Sequence, residues 1–133
     1  MPYLNAKLST PPSFEKTEKI AAALTELTAV VLCKKRELTS VAIEYLDPAC
    51  WFIAGAPLAG QDRSTFYLDI KVTEGTNTKD QKAAYVAQVF AAMEDITGPL
   101  HPASYIVIDE VRGDAWGYQG QTQEYRYIKG KAL

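Results

Sequence analysis

The feature that most constrains this chain is that it repeats itself. The segment Pro2-Tyr-Leu-Asn-Ala-Lys-Leu-Ser aligns with Phe66-Tyr-Leu-Asp-Ile-Lys-Val-Thr, 64 positions later, so that Tyr3, Leu4 and Lys7 match Tyr67, Leu68 and Lys71. Farther on, Ser40-Val-Ala-Ile-Glu-Tyr-Leu aligns with Ser104-Tyr-Ile-Val-Ile-Asp-Glu, and Trp51 to Gly55 with Trp116 to Gly120 at an offset of 65, which requires one inserted residue. A period of this length means one supersecondary unit built twice. At 133 residues the two units share a single domain, residues 1–133, with pseudo-repeats 2–55 and 66–120. Residues 56–65, next to Gly55 and containing Pro57 and Gly60, read as the linker between them.

Each unit has the same order of elements. A β-rich run at about 3 to 8 recurs at about 65 to 72, and a second closes each unit at Val41 to Leu46 and Tyr105 to Val111. Between them Ile20, Leu24, Leu27 and Val31 recur at helical spacing, as do Val86, Val89, Phe90 and Met93. Thr78 and Gln81 have the spacing of a capping box, and Gly98-Pro99 stops the second helix. Two β-α-β units side by side predict an α+β fold: a four-stranded mixed sheet with two helices on one face. Alternate apolar positions on the uncovered face predict a large exposed hydrophobic surface and self-association.

Charge and cysteine content narrow the function. A net charge of −2 without a basic run gives no footprint for nucleic acid or an anionic membrane, so a small-molecule substrate or a protein partner is expected. No run approaches the roughly 20 apolar residues of a membrane span, and Lys7 and Lys16 lie in an N-terminus without a signal-peptide core, which predicts a cytoplasmic protein. Cys33 and Cys50 form no C-x-x-C pair, and one histidine, His101, cannot complete a zinc set, so no metal or other cofactor is expected.

A β-α-β unit of this size, headed by a proline directly after the initiator methionine, resembles the 4-oxalocrotonate tautomerase family. Glu74-Gly75 followed by Thr76-Asn77-Thr78-Lys79-Asp80-Gln81-Lys82 resembles that family's turn into its helix, and Asp114-Ala115-Trp116-Gly117-Tyr118-Gln119-Gly120 its glycine-rich hairpin. The resemblance spans about residues 2 to 128 and implies a fused tandem member of the tautomerase superfamily. It also implies a homotrimer, with three sheets enclosing a central barrel and the helices outside.

The chemistry of Pro2 follows from its position. Removal of Met1 would leave a secondary amine, and burial would lower its basicity from the α-amino range of about 7.7 to 8.0. Such a base takes a proton beside a carbonyl and returns it elsewhere, which is keto–enol tautomerisation. Phe66, the matching residue, has an amide nitrogen, so one site per chain is expected. The resemblance makes Trp51 or Trp116 the pocket wall, with a subunit anchor as the other reading of each. It makes Tyr105 a donor to an enolate on a neighbour, with an ordinary strand tyrosine as the alternative.

The family's arginines are missing: the position after the Glu-Gly turn is Thr76, or about Pro12 in the first unit, and the strand position is Ala42 or Ile106. Their absence argues against the family's dicarboxylate substrate and against dehalogenation or decarboxylation. Arg36 or Arg126 is the expected replacement, although a basic residue ending a helix also suits the helix dipole. The expected function is therefore an isomerase acting on an enolisable 2-oxo acid or dienol, with no preference for a diacid. The alternatives are a hydratase or dehalogenase-like relative, and a non-catalytic assembly or ligand-binding module.

Overall fold

In the computed structural model, residues 2–131 are described; Met1, whose removal the chemistry of Pro2 requires, lies outside the described residues. Strand β1 (Tyr3–Leu8) leads to helix α1 (Phe14–Val31) and strand β2 (Ser40–Tyr45), and β5 (Phe66–Thr73) leads to α2 (Lys79–Thr97) and β6 (Tyr105–Val111). Between and after these lie two small hairpins, β3 (Phe52–Ile53) with β4 (Ala56–Pro57) and β7 (Gly117–Tyr118) with β8 (Gln121–Thr122), and a last helix α3 (Gln123–Lys129). The fold is α+β, with a mixed four-stranded sheet ordered β2-β1-β5-β6. Each unit contributes a parallel pair, and the units meet antiparallel at β1 and β5, where Leu4 faces Ile70 and Ala6 faces Leu68.

One face of the sheet is the core. Leu4, Ala6 and Leu8 alternate into it from β1, and Phe66, Leu68, Ile70 and Val72 from β5, all against the two helices. Ser13 caps α1 by accepting from the Lys16 amide, and the capping box of Thr78 and Gln81 is complete at α2. Gly98, at φ 90°, ends α2. Ile20 and Leu24 are buried with Thr28, and Leu27 and Val31 pack at the core's edge. In α2 the stripe runs through Tyr85, Val89 and Met93, whereas Val86, expected on it, is 39% exposed. Tyr85 takes the inner position because its hydroxyl has a partner there, the Thr28 hydroxyl at 2.9 Å.

Two other expectations are corrected. The uncovered face is not broadly apolar: Asn5, Lys7, Asp69, Lys71 and Asp109 share it with Tyr3, Tyr67, Tyr105 and Val107. Lys71 reaches Asp109 at 2.8 Å and Asp69 at 3.6 Å there, and the hydrogen bond to Asp109 holds the Lys71 ammonium above its ordinary range. Residues 56–65, between the two units, carry structure of their own: Ala56–Pro57 is a strand and Leu58 is buried.

The inserted residue also lies earlier than the alignment placed it. Tyr3 pairs Ser40 as Tyr67 pairs Tyr105, and Ser13 caps as Thr78 does, so the offset is 64 through the first strands and already 65 at the helix caps. The second strands therefore match as Val41 with Ile106 and Ile43 with Ile108, and the counterpart of Ala42 is Val107, not Ile106. A slip of one residue exchanges the faces of a strand, which is why the letters alone misplace it.

Candidate active site

Because the units are antiparallel, equivalent parts of them lie at opposite ends of the sheet. At one end are Pro2, the start of β2, and the far ends of β5 and β6. Pro2 is buried, its carbonyl accepts from the Ser40 amide at 3.2 Å, and continuing the register from Tyr3 and Lys71 sets it opposite Val72. Next to this end is a cavity of about 530 Å³, lined among others by Lys34, Lys35, Thr73, Thr76, Tyr118 and Arg126.

The second hairpin and α3 build one wall. Gln119 (φ 51°) and Gly120 (φ 77°) form its two-residue turn, the left-handed pair that suits a tight hairpin. Thr122 then caps α3, and the Gln123 amide donates to the Trp116 carbonyl. Arg126 donates to the Tyr118 carbonyl at 3.0 Å and stacks 3.9 Å from the centroid of the same ring. Its Nε is buried and has no partner among the described residues. Trp116 Nε1 donates to the Thr73 hydroxyl at 3.2 Å, which ties this tryptophan to the cavity's lining.

The opposite wall comes from the end of α1. The Lys34 ammonium donates to the Thr76 hydroxyl at 2.7 Å, and that hydroxyl donates onward to the Thr73 carbonyl at 2.6 Å. Burial holds the Lys34 amine below its ordinary range, against the opposing pull of Cys33 and Glu110. Among the described residues Lys34, Lys35 and Arg126 form no ion pair, although Glu124 also lines the cavity. Thr76, where an arginine is missing, thus holds a lysine in place.

Of the residues singled out from the sequence, Pro2, Trp116 and Arg126 come to this end, and of these three Arg126 alone is in the cavity's lining. Arg36 does not line the cavity; it is ion-paired to Glu26 on the surface. Lys34, two residues earlier, is the residue that sequence reasoning missed, and the signal was the Lys34-Lys35-Arg36 run itself. Trp51 belongs to the first hairpin, beyond the end of β2, and so lies at the other end of the sheet from Pro2. Tyr105, 63% exposed, starts β6 beside Tyr67 and is likewise at the far end within one chain. His101 is used structurally, its Nδ1 accepting from the Ala103 amide, and both cysteines are free and exposed.

This arrangement of strands and helices is shared with solved structures of fused 4-OT proteins. A wild-type fused 4-OT that forms a symmetric trimer superposes with a TM-score of 0.82 at 15% identity, over 97% of this chain and 99% of that one. Pt0534 in its form inactivated by 2-oxo-3-pentynoate gives 0.82 at 14% identity, over 92% and 98%. The migration inhibitory factor-like protein of Entamoeba histolytica gives 0.72 at 20%, over 91% and 97%. Residues 67–125 match the family described as Tautomerase enzyme. No curated protein matches the sequence significantly. Residues 67–125 thus carry the Tautomerase family's sequence pattern, and the chain shares its fold with the fused 4-OT structures.

Proposed function

We propose that the chain is a keto–enol tautomerase in which the amine of Pro2, freed by removal of Met1, moves a proton on a small enolisable 2-oxo acid. The observation that carries this reading is the cavity at Pro2's end of the sheet, with Lys34, Lys35 and Arg126 around it and no ion pair to any of them among the described residues. A carboxylate entering this cavity is held by Lys34 and Arg126, which leaves its 2-oxo carbon toward the buried end where Pro2 lies. The amine takes the proton from the carbon next to the carbonyl and delivers it to the carbonyl oxygen as the enol forms, and in ketonisation it carries the proton from that oxygen back to the carbon. Lys34 draws charge toward the bound carboxylate, and Trp116 supports the wall through Thr73.

The functional unit in this reading is a homotrimer. Exposed Tyr105, Val107, Tyr127 and Ile128 favour burial by other copies, and a fused 4-OT of the same fold is itself a trimer.

The test begins with the intact mass of protein from its native host, to establish whether Met1 is absent. Phenylpyruvate ketonisation is then followed by ultraviolet absorbance, with Pro2→Ala expected to lower the rate at least about tenfold. The inactivator 2-oxo-3-pentynoate is an acceptor for conjugate addition by an amine. It should add once per chain, on the Pro2 peptide. Full activity in Pro2→Ala would remove Pro2 from the reaction.

A further inference from the structure

The end of the sheet opposite Pro2 carries a second cavity, of about 300 Å³. Its lining is the counterpart of the first, once the insertion is placed in the turn before the helix caps. Ser9 stands where Thr73 stands in the first cavity, Pro99 where Lys34 stands, and Gln61 where Arg126 stands. Phe66 replaces Pro2 beside it. Duplication therefore made two pockets, and in this one the amine, the lysine and the arginine are all gone.

The second cavity has charged groups of its own. Lys16 and Arg63 line it, at positions whose counterparts in the other unit are the uncharged Gln81 and Ile128. Neither forms an ion pair among the described residues, and the one acid in the lining is Asp62. Thr10, also in the lining, is only 6% exposed, and its hydroxyl oxygen has no hydrogen-bond partner among the described residues. The hydroxyl of Ser64, on the same lining, is buried and unpaired too. A buried hydroxyl without a partner is costly, and two of them beside two unpaired cations ask for a compact acceptor.

We propose that this second cavity is a separate, non-catalytic binding site for a small oxyanion, held by Lys16 and Arg63 at its rim and by the hydroxyls of Thr10 and Ser64 within. The chemistry required is shared by a short carboxylate and by phosphate. The site stands apart from the Pro2 cavity by the length of the sheet, so it regulates or scaffolds and does not turn over what it binds.

The test is a titration of isotope-labelled full-length protein with inorganic phosphate and, separately, with pyruvate, read at backbone amides by nuclear magnetic resonance. Saturable shifts at Thr10, Gln61 and Ser64 are expected, and the tighter of the two titrants identifies the source of the anion. The shifts should persist in Arg126→Gln, which alters only the first cavity. Arg63→Gln should weaken binding by about tenfold, as loss of one charge-assisted hydrogen bond implies. Thr10→Val should weaken it while leaving the fold intact, since the hydroxyl it removes is unpaired. Absence of saturable shifts with both titrants, equal affinity in Arg63→Gln, or loss of the shifts in Arg126→Gln would each overturn the proposal. Because catalysis is read separately through Pro2, failure here leaves the proposed activity unaffected.

Discussion

The buried pair of Tyr85 and Thr28 sets a pH dependence that a single substitution exposes. Thr28 donates to the Leu24 carbonyl, so its oxygen accepts the Tyr85 proton, and burial pushes the phenol up to about 12 from 10.0. The unfolded chain thus loses this proton at a lower pH than the folded one. Stability from this group is intact below about pH 10 and declines as pH rises toward 12, by about 3 kcal/mol in all. Urea unfolding across that range should show the decline. Tyr85→Phe should flatten it and cost about 1 kcal/mol at neutral pH. In the cavity, Lys34→Met and Arg126→Gln should each lower kcat/KM for a 2-oxo acid by about tenfold, mainly through KM. Counting arginines in the sequence led to an expectation of no preference for a diacid. In the proposed binding mode Lys34 and Arg126 share one carboxylate, so steady-state kinetics should show a kcat/KM for 2-hydroxymuconate no higher than for a monocarboxylic enol of similar size.

At the scale of elements, the second hairpin decides whether Arg126 reaches the cavity. A Cβ on Gly117 would fall 1.9 Å from the Gln121 carbonyl oxygen and 2.7 Å from the Thr122 Cα, both backbone atoms that cannot yield without opening the hairpin. Thr122 is also the cap of α3. Gly117→Ala should therefore displace α3 and reduce activity at least as much as Arg126→Gln. Its unfolding midpoint should stay near that of the parent, because no residue of α3 is buried in the core. Kinetics and denaturation of the same preparation separate the two effects. Loss of the cap in Thr78→Ala should do the reverse, with a stability cost of about 1 kcal/mol and little change in turnover.

For the whole molecule, the proposed trimer buries the uncovered face between copies. It mixes tyrosines with the group Lys71, Asp69 and Asp109, and one Asp69 carboxylate oxygen is buried without a partner. A trimer closed on such a face is held by hydrogen bonds and ion pairs as much as by apolar area, so it should weaken with salt. Sedimentation equilibrium at micromolar concentration should give three chains per particle at low ionic strength. Asp109→Asn should shift that equilibrium toward smaller species. A monomer under all conditions would contradict the proposed assembly.

Local order was legible in the residues: the repeat, the apolar periods of strands and helices, the capping box at Thr78 and the Gly98 stop all act over a few neighbours. Those neighbours are fixed by covalent sequence, so the α+β topology followed from the letters. Three things did not. The exchange of Val86 for Tyr85 needed the Thr28 hydroxyl, 57 residues away. The one-residue insertion became visible only through strand pairing, since two registers that read almost alike point opposite faces of β6 to the core. Above all, two equivalent tryptophans were indistinguishable until β1 met β5 antiparallel. That pairing rotates one unit against the other, brings Trp116, Arg126 and Lys34 to the end where Pro2 lies, and carries Trp51 to the opposite end. Proximity across the sheet is a property of how the halves dock, and no spacing along the chain encodes it.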